Sequence, residues 1–300
     1  MAWKSTVEGK TNPEVFSNLN QRERPPLGKK PDFNKIDSDR LLALDFEPIE
    51  IYPELEIVAK IVNEEINIAR KKYGLPELFL DSDTVRLVPH TVYDGNRYAR
   101  ESADAGAFLH PDNRRVFIRF DPAKYSKSNN EKMWQAYVVS HELTHRGMEK
   151  GGLSKILDND PIDLFRMNEG ITDYLTRDAM NSRILDKLTT KKVITSRARY
   201  VESVKPEIEG FRLAEQDMIP VGNGESELSY SRLPEIRLIE QIKNISSEVF
   251  ERLVELAFLG QKEKARDVLQ HLLGRKVCDV MMNRAVSANE LLRMINKGKF

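Results

Sequence analysis

SHELTHRGMEKGG, Ser140 to Gly152, places His141 and His145 four residues apart with Glu142 directly after the first. On an α-helix, residues i and i+4 lie one turn apart on one face, so the two imidazoles can offer nitrogens to a single ion with little rearrangement. Glu142 sits one step further round, where its carboxylate reaches a water on such an ion without being a ligand itself, as a general base must. The flanking pattern supports a helix over 129–148. Trp134, Val138, His141 and His145 recur at i, i+4, i+7 and i+11, SKSNNE precedes them, and Gly151 and Gly152 stop the helix. With only five histidines in the chain, chance produces this pattern in roughly one such sequence in a hundred. A second half of the site therefore has to be found.

The next helical stretch supplies one. Pro161 and Asp163 open a predicted helix over 163–188, with Leu164, Phe165, Ile171, Leu175 and Ala179 available for burial. It carries RMNEGITDYLT, Arg166 to Thr176, in which Glu169 and Asp173 again stand at i and i+4. A catalytic zinc takes three protein ligands and leaves a position for water. Glu169 can complete the set begun by His141 and His145, and Asp173 can accept the outward N–H of a ligating imidazole, fixing its tautomer.

Composition sets the surroundings. At 300 residues and 40% hydrophobic content the chain builds a core without covalent staples, and a net charge of zero gives no pull toward nucleic acid or an anionic membrane. The basic run NSRILDKLTTKKVITSRARY is broken by apolar residues and followed by Glu202, Glu207 and Glu209, which reads as a solvated helix end and loop. The single cysteine, Cys278, lies in VCDVMM, excludes an intrachain disulfide and reads as a small buried hydrophobe. No stretch approaches the ~20 apolar residues of a membrane span, and the N-terminus lacks a secretory apolar core. The expected location is the cytoplasm, with no membrane or nucleic-acid partner, and oligomeric state is not legible.

Residues 1–48, with PPLGKKPDFNK in their midst, read as a polar, extended or disordered arm. From Tyr52, the residues Leu55, Val58, Ile61, Val62, Ile66 and Ala69 follow helical spacing to a stop at KKYGLP. TVRLVPH and the pair AGAFLH and VFIRF read as strands, the latter two as a hairpin. His90 and His110 fall at strand ends as structural or surface residues. After an irregular segment over 189–228, the remaining apolar stretches are helical. The expected fold is α+β: an α/β lobe over 49–152 with a small mixed sheet and the histidine helix, then a helical lobe over 153–300 bearing Glu169.

HELTH followed by NEGITD, with 23 residues between His145 and Glu169, resembles the gluzincin zinc metallopeptidases, whose histidine helix is followed by a helix with a glutamate ligand. The thermolysin-like branch is the nearest pattern: Asn168, Glu169, Thr172 and Asp173 match its Asn-Glu-x-x-Ser/Thr-Asp signature. The resemblance covers about Asn130 to Arg177. It implies one zinc ion on His141, His145 and Glu169, Glu142 as catalytic base, and Asp173 and Asn168 as residues supporting the ligands. It also implies a zincin-like, two-lobed fold and hydrolysis of a peptide or protein by a zinc-activated water. In that family an edge strand holds extended substrate by main-chain pairing, and RRVFIRF is the candidate for part of that sheet.

The family also needs a donor for the oxyanion of the tetrahedral intermediate. Thermolysin-like enzymes use a downstream histidine; here His271, in VLQHLLG, reads as a core or boundary residue. The aminopeptidase branch uses a tyrosine, and Tyr230, about sixty residues after Glu169, fits that placement, with Arg237 as a weaker, substrate-binding companion and Tyr174 and Tyr200 as alternatives. The GxMEN aminopeptidase motif, calcium-binding carboxylate clusters and a propeptide pattern are missing, so the subfamily is unassigned. Three other readings stay open: a zinc-binding module without activity, a specialised toxin or effector protease, and a fortuitous histidine pair in a helical scaffold.

Overall fold

The structure, a computed structural model, describes residues 47–48, 52–95, 107–109, 114–127, 129–154, 162–192, 218–221, 225–228, 233–283, 286 and 288–296. Of the predicted arm, only Glu47–Pro48 (β1) falls among them. Pro53, whose ring presets a helical φ and which has no N–H to lose, opens α1 (Pro53–Lys72). Glu54 and Glu56 in its first turn and Arg70, Lys71 and Lys72 in its last complement the helix dipole. Leu55, Val58, Ala59, Val62 and Ile66 form its buried stripe, while Ile61 and Ala69, also expected on that face, are only partly covered.

The sheet follows. β2 (Val85–Pro89) leads into a short helix, α2 (His90–Gly95), and then β3 (Ala107–Leu109) and β4 (Val116–Phe120) pair as the expected antiparallel hairpin, Ala107 opposite Ile118 and Leu109 opposite Val116. β2 runs parallel to β4, Leu87 opposite Ile118, and β1 lies antiparallel to β2, giving the order β1-β2-β4-β3. RRVFIRF, the candidate for part of the sheet, is in it, and the pairing decides its place. β4 is an inner strand, which fits the burial of Val116, Phe117, Ile118 and Phe120 on both of its faces; the edge beside it is β3.

After α3 (Pro122–Lys127) comes the histidine helix α4 (Asn129–Gly147), packed against α1, β3 and β4. It ends at Gly147, a little before the predicted glycine pair, because α1 crosses there: a Cβ on Gly147 would lie 2.7 Å from Ile66 Cγ2. A single 3₁₀ turn, Glu149–Gly151, follows, with Lys150, Gly151 and Gly152 all at positive φ. A side chain at Gly152 would be strained, since its φ is positive and its Cβ would be driven into Asn168 Oδ1.

α5 (Phe165–Ala179) carries Glu169 and is buried along most of its length, from Arg166 to Asp173 without a break. The predicted helix over 163–188 is present but passes through a π-turn, Met180–Ile184, before α6 (Leu185–Thr190). Within the stretch expected to be irregular, β5 (Met218–Val221) and β6 (Glu225–Leu228) form a separate antiparallel hairpin; the Gly-Asn-Gly between them is turn chemistry that the polar composition of the region obscured. The C-terminal helices are α7 (Leu233–Ile245), α8 (Ser247–Phe258), α9 (Lys262–Leu273), α10 (Arg275–Met281) and α11 (Ala288–Asn296). Ser246 caps α8 by accepting from Val249 N. α7 crosses α5 closely at Gly170, where a Cβ would stand 2.7 Å from Glu235 O.

One buried apolar cluster runs from Leu55 through Ile118, Leu143, Ile171 and Leu256 to Ile295, and α4 and α5 lie inside it. The class is α+β. Among the described residues, no helix is long and apolar enough to cross a membrane.

Candidate metal centre

The two motifs meet where α4 and α5 pack. His141, His145 and Glu169 each turn one donor atom to a common point, all within 4.8 Å of one another. His141 Nε2 is 3.0 Å from His145 Nε2, Glu169 Oε2 is 3.5 Å from His141 Nε2 and Glu169 Oε1 is 3.3 Å from His145 Nε2. Atoms bound at ~2.0–2.1 Å to a tetrahedral zinc stand about 3.3 Å apart. The two imidazole nitrogens and the carboxylate, which turns Oε2 to His141 and Oε1 to His145, thus stand at spacings that one shared cation can bridge. A charge-assisted hydrogen bond from a protonated histidine to Glu169 would instead close to about 2.7–2.9 Å.

The far side of each ring agrees. His141 Nδ1 donates to Asp173 Oδ1 at 2.7 Å, and Asp173 is fully buried. Thr172 gives its own proton to Asn168 O at 2.8 Å and stands with its oxygen 3.3 Å from His145 Nδ1, placed to accept the ring proton. With the His141 proton on Nδ1, its Nε2 lone pair faces the shared point, and a cation there would claim the Nε2 lone pair of His145 as well. Two lone pairs and a carboxylate converging in a largely buried site repel one another unless a cation sits among them. The donor set of two imidazoles and a carboxylate fits zinc.

Asn168, expected beside the ligands, is there: its amide nitrogen is 3.3 Å from His145 Nδ1, and its oxygen accepts from Leu153 N at 2.9 Å. It therefore ties the turn after α4 to α5, which explains the demand for glycine at 152. Glu142 is half-buried and makes no hydrogen bond or ion pair with any described residue. That leaves its carboxylate available, one position round the helix from His141.

The other candidates separate. Tyr230 and Tyr200 lie outside the described residues, as does His110. β6, which ends two residues before Tyr230, packs against α4. Arg237 lies half-buried on α7 between the buried Ile236 and Leu238. Tyr174 is committed elsewhere: Lys243 Nζ donates to its hydroxyl, and its ring stacks edge-on against Phe250 at 5.1 Å. His271, expected at the core or its boundary, is exposed. The buried stripe of α9 is Ala265, Leu269 and Leu273, and a residue two positions off that period faces away. His90 is a partly exposed residue 3.9 Å from Asp121 Oδ2. Cys278 is buried, and burial pushes its thiol up to about 11.

Three supporting residues were not singled out in the sequence. Arg70, 1% exposed, turns back from the end of α1 and donates to Pro76 O at 2.7 Å, Gly147 O at 2.6 Å and Glu149 Oε1 at 2.7 Å. Arg114 donates to Arg146 O and Met148 O. Between them, two guanidiniums occupy the carbonyl end of α4, where the helix dipole is negative. Burial holds the Arg114 and Arg146 guanidiniums below the usual arginine range. The third, Tyr137, lies one turn before His141 and donates its hydroxyl proton to Asp173 Oδ1. Its spacing from His141 was the available signal.

No protein-family model, curated protein or solved structure matches this chain.

Proposed function

We propose that the chain is a zinc-dependent metallopeptidase of the gluzincin kind, with a zincin-like fold, holding one Zn²⁺ on His141, His145 and Glu169. The observation that carries the reading is the convergence of His141, His145 and Glu169, each offering a donor atom within 4.8 Å of the others, with Asp173 placed to accept the outer N–H of His141. When bound, zinc supplies a Lewis acid that polarises a carbonyl and makes a water acidic near neutral pH.

The chain's own residues do the rest. His141 and His145 present bare Nε2 atoms because Asp173 and Thr172 take their Nδ1 protons. Glu142, not needed as a ligand, accepts the proton of the attacking water and returns it to the leaving amine. Tyr230 is the proposed donor to the oxyanion; β6, which ends two residues before it, packs against α4. Arg237 is the weaker proposed contact to substrate. β3 is the strand edge beside α4 to which an extended peptide would add. Peptide or protein is therefore the substrate class.

The test is a peptide-library digest with metal analysis. Purified protein should carry about one zinc per chain, cleave peptides, lose cleavage on chelation and regain it with zinc; His145→Ala and Glu169→Ala should lose the metal. A sample with one zinc and no cleavage of any peptide would reduce the site to a binding or structural one. A metal-free sample unchanged by added zinc would remove the metal centre.

A further inference from the structure

The hydroxyl of Tyr137 has no part in the two motifs, yet it meets them at one atom. Tyr137 is buried on α4, one turn before His141. Its O–H and the Nδ1–H of His141 both point to Asp173 Oδ1, the latter at 2.7 Å, and the hydroxyl oxygen lies 3.2 Å from Nδ1. The 3.2 Å separation of the hydroxyl oxygen from Nδ1 is the third side of a triangle closed by the carboxylate. The ring stacks on Trp134 with centroids 5.9 Å apart, a packing that phenylalanine would provide equally. What the hydroxyl adds to that packing is its bond to Asp173.

We infer that Tyr137 is a positioning residue for the metal centre: its hydroxyl fixes the plane of the Asp173 carboxylate, and through it the ring orientation and tautomer of His141. The terminal torsion of an aspartate is broad, and any single hydrogen bond lets a carboxylate rock about that contact. A second donor on the same oxygen, rooted in the helix that carries His141, removes that freedom. Asp173 comes from α5 and Tyr137 from α4, so the triangle also sets the distance between the helix bearing two of the candidate ligands and the helix bearing the third. The inference rests on the proposed zinc site, since the ring it aims is a ligand only there.

The experiment is a double-mutant cycle read as zinc affinity. Metal-free wild type, Tyr137→Phe, Asp173→Ala and the double variant are titrated with Zn²⁺ against a chromophoric chelator, and the urea midpoint of each metal-free protein is measured in parallel. Outer partners of ligating histidines change metal affinity by about 10–100-fold. Tyr137→Phe should weaken zinc binding about tenfold, and the double variant should bind as Asp173→Ala does, because the hydroxyl then has no carboxylate to orient. Unchanged affinity in Tyr137→Phe, or losses that multiply in full, would overturn the inference. A lower urea midpoint with unaltered affinity would show a merely structural tyrosine. Wild type that binds no zinc would instead remove the metal centre.

A second measurement needs no variant at position 137. In cobalt-substituted wild type, proton NMR should show three exchangeable metal-shifted signals, the ring N–H of His141, the ring N–H of His145 and the Tyr137 hydroxyl, and those of His141 and Tyr137 should vanish in Asp173→Ala. Persistence of the hydroxyl signal in that variant would also overturn the inference.

Discussion

Replacing Arg70 with methionine keeps most of the stem's packing and removes the guanidinium that closes the end of α4. The cost can be worked from its partners. Hydrogen bonds to charged groups contribute about 1.5–3 kcal/mol each, and Arg70 makes two to carbonyls, Pro76 O and Gly147 O. The third partner, Glu149, is 33% exposed, so water takes over part of its role and its share falls below about 1 kcal/mol. Removing one partner of a buried charged network generally costs about 3–5 kcal/mol, and the same range is expected here at neutral pH. That is a large fraction of the ~5–15 kcal/mol by which domains are stable. Urea unfolding of metal-free protein measures it, with an unchanged slope showing that the two end states are the same. Arg70→Lys, which keeps the charge but cannot reach three acceptors at once, should recover about half. A loss under ~1 kcal/mol in Arg70→Met, or a lysine variant as stable as wild type, would refute the clamp. Because Gly147 is two residues beyond His145, zinc affinity should fall as well.

Other perturbations test other parts of the account. Gly152→Ala should cost about 2–4 kcal/mol in urea unfolding, from a non-glycine residue at positive φ and a Cβ driven into Asn168; wild-type stability would contradict the tie between the turn and α5. Cys278 should resist alkylation in the native protein at neutral pH and react freely in urea, because burial pushes its thiol up to about 11. The sign for stability follows: the unfolded thiol ionises first, so its contribution is present below about 9 and is lost as pH rises toward about 11. Stoichiometric labelling of native protein at neutral pH would contradict this.

What the sequence made legible was whatever local periodicity and punctuation determine. α1, α4 and α5 were readable because apolar residues recur at helical spacing between proline, acidic starts and glycine stops. The convergence of His141, His145 and Glu169 was readable because i and i+4 is a statement about one helix, made twice. Strand order was not: VFIRF reads the same at an edge or inside a sheet, and only its pairing with both β2 and β3 decides. Nor was the inward turn of Arg70, since Arg70, Lys71 and Lys72 all suit a helix end and the approach of Gly147 selects one of them. His271 illustrates the reverse case, because the period of Ala265, Leu269 and Leu273 already placed it on the outer face of α9.

The most direct test is hydrolysis by Glu142→Gln beside its zinc content. The carboxamide keeps the shape of the side chain and cannot take a proton from water, and Glu142 contributes no atom to the convergent donor set. The variant should therefore hold as much zinc as wild type and lose peptide cleavage by a factor of about 10²–10⁴, the usual contribution of a positioned general base. Cleavage at the wild-type rate with zinc bound would contradict the mechanism.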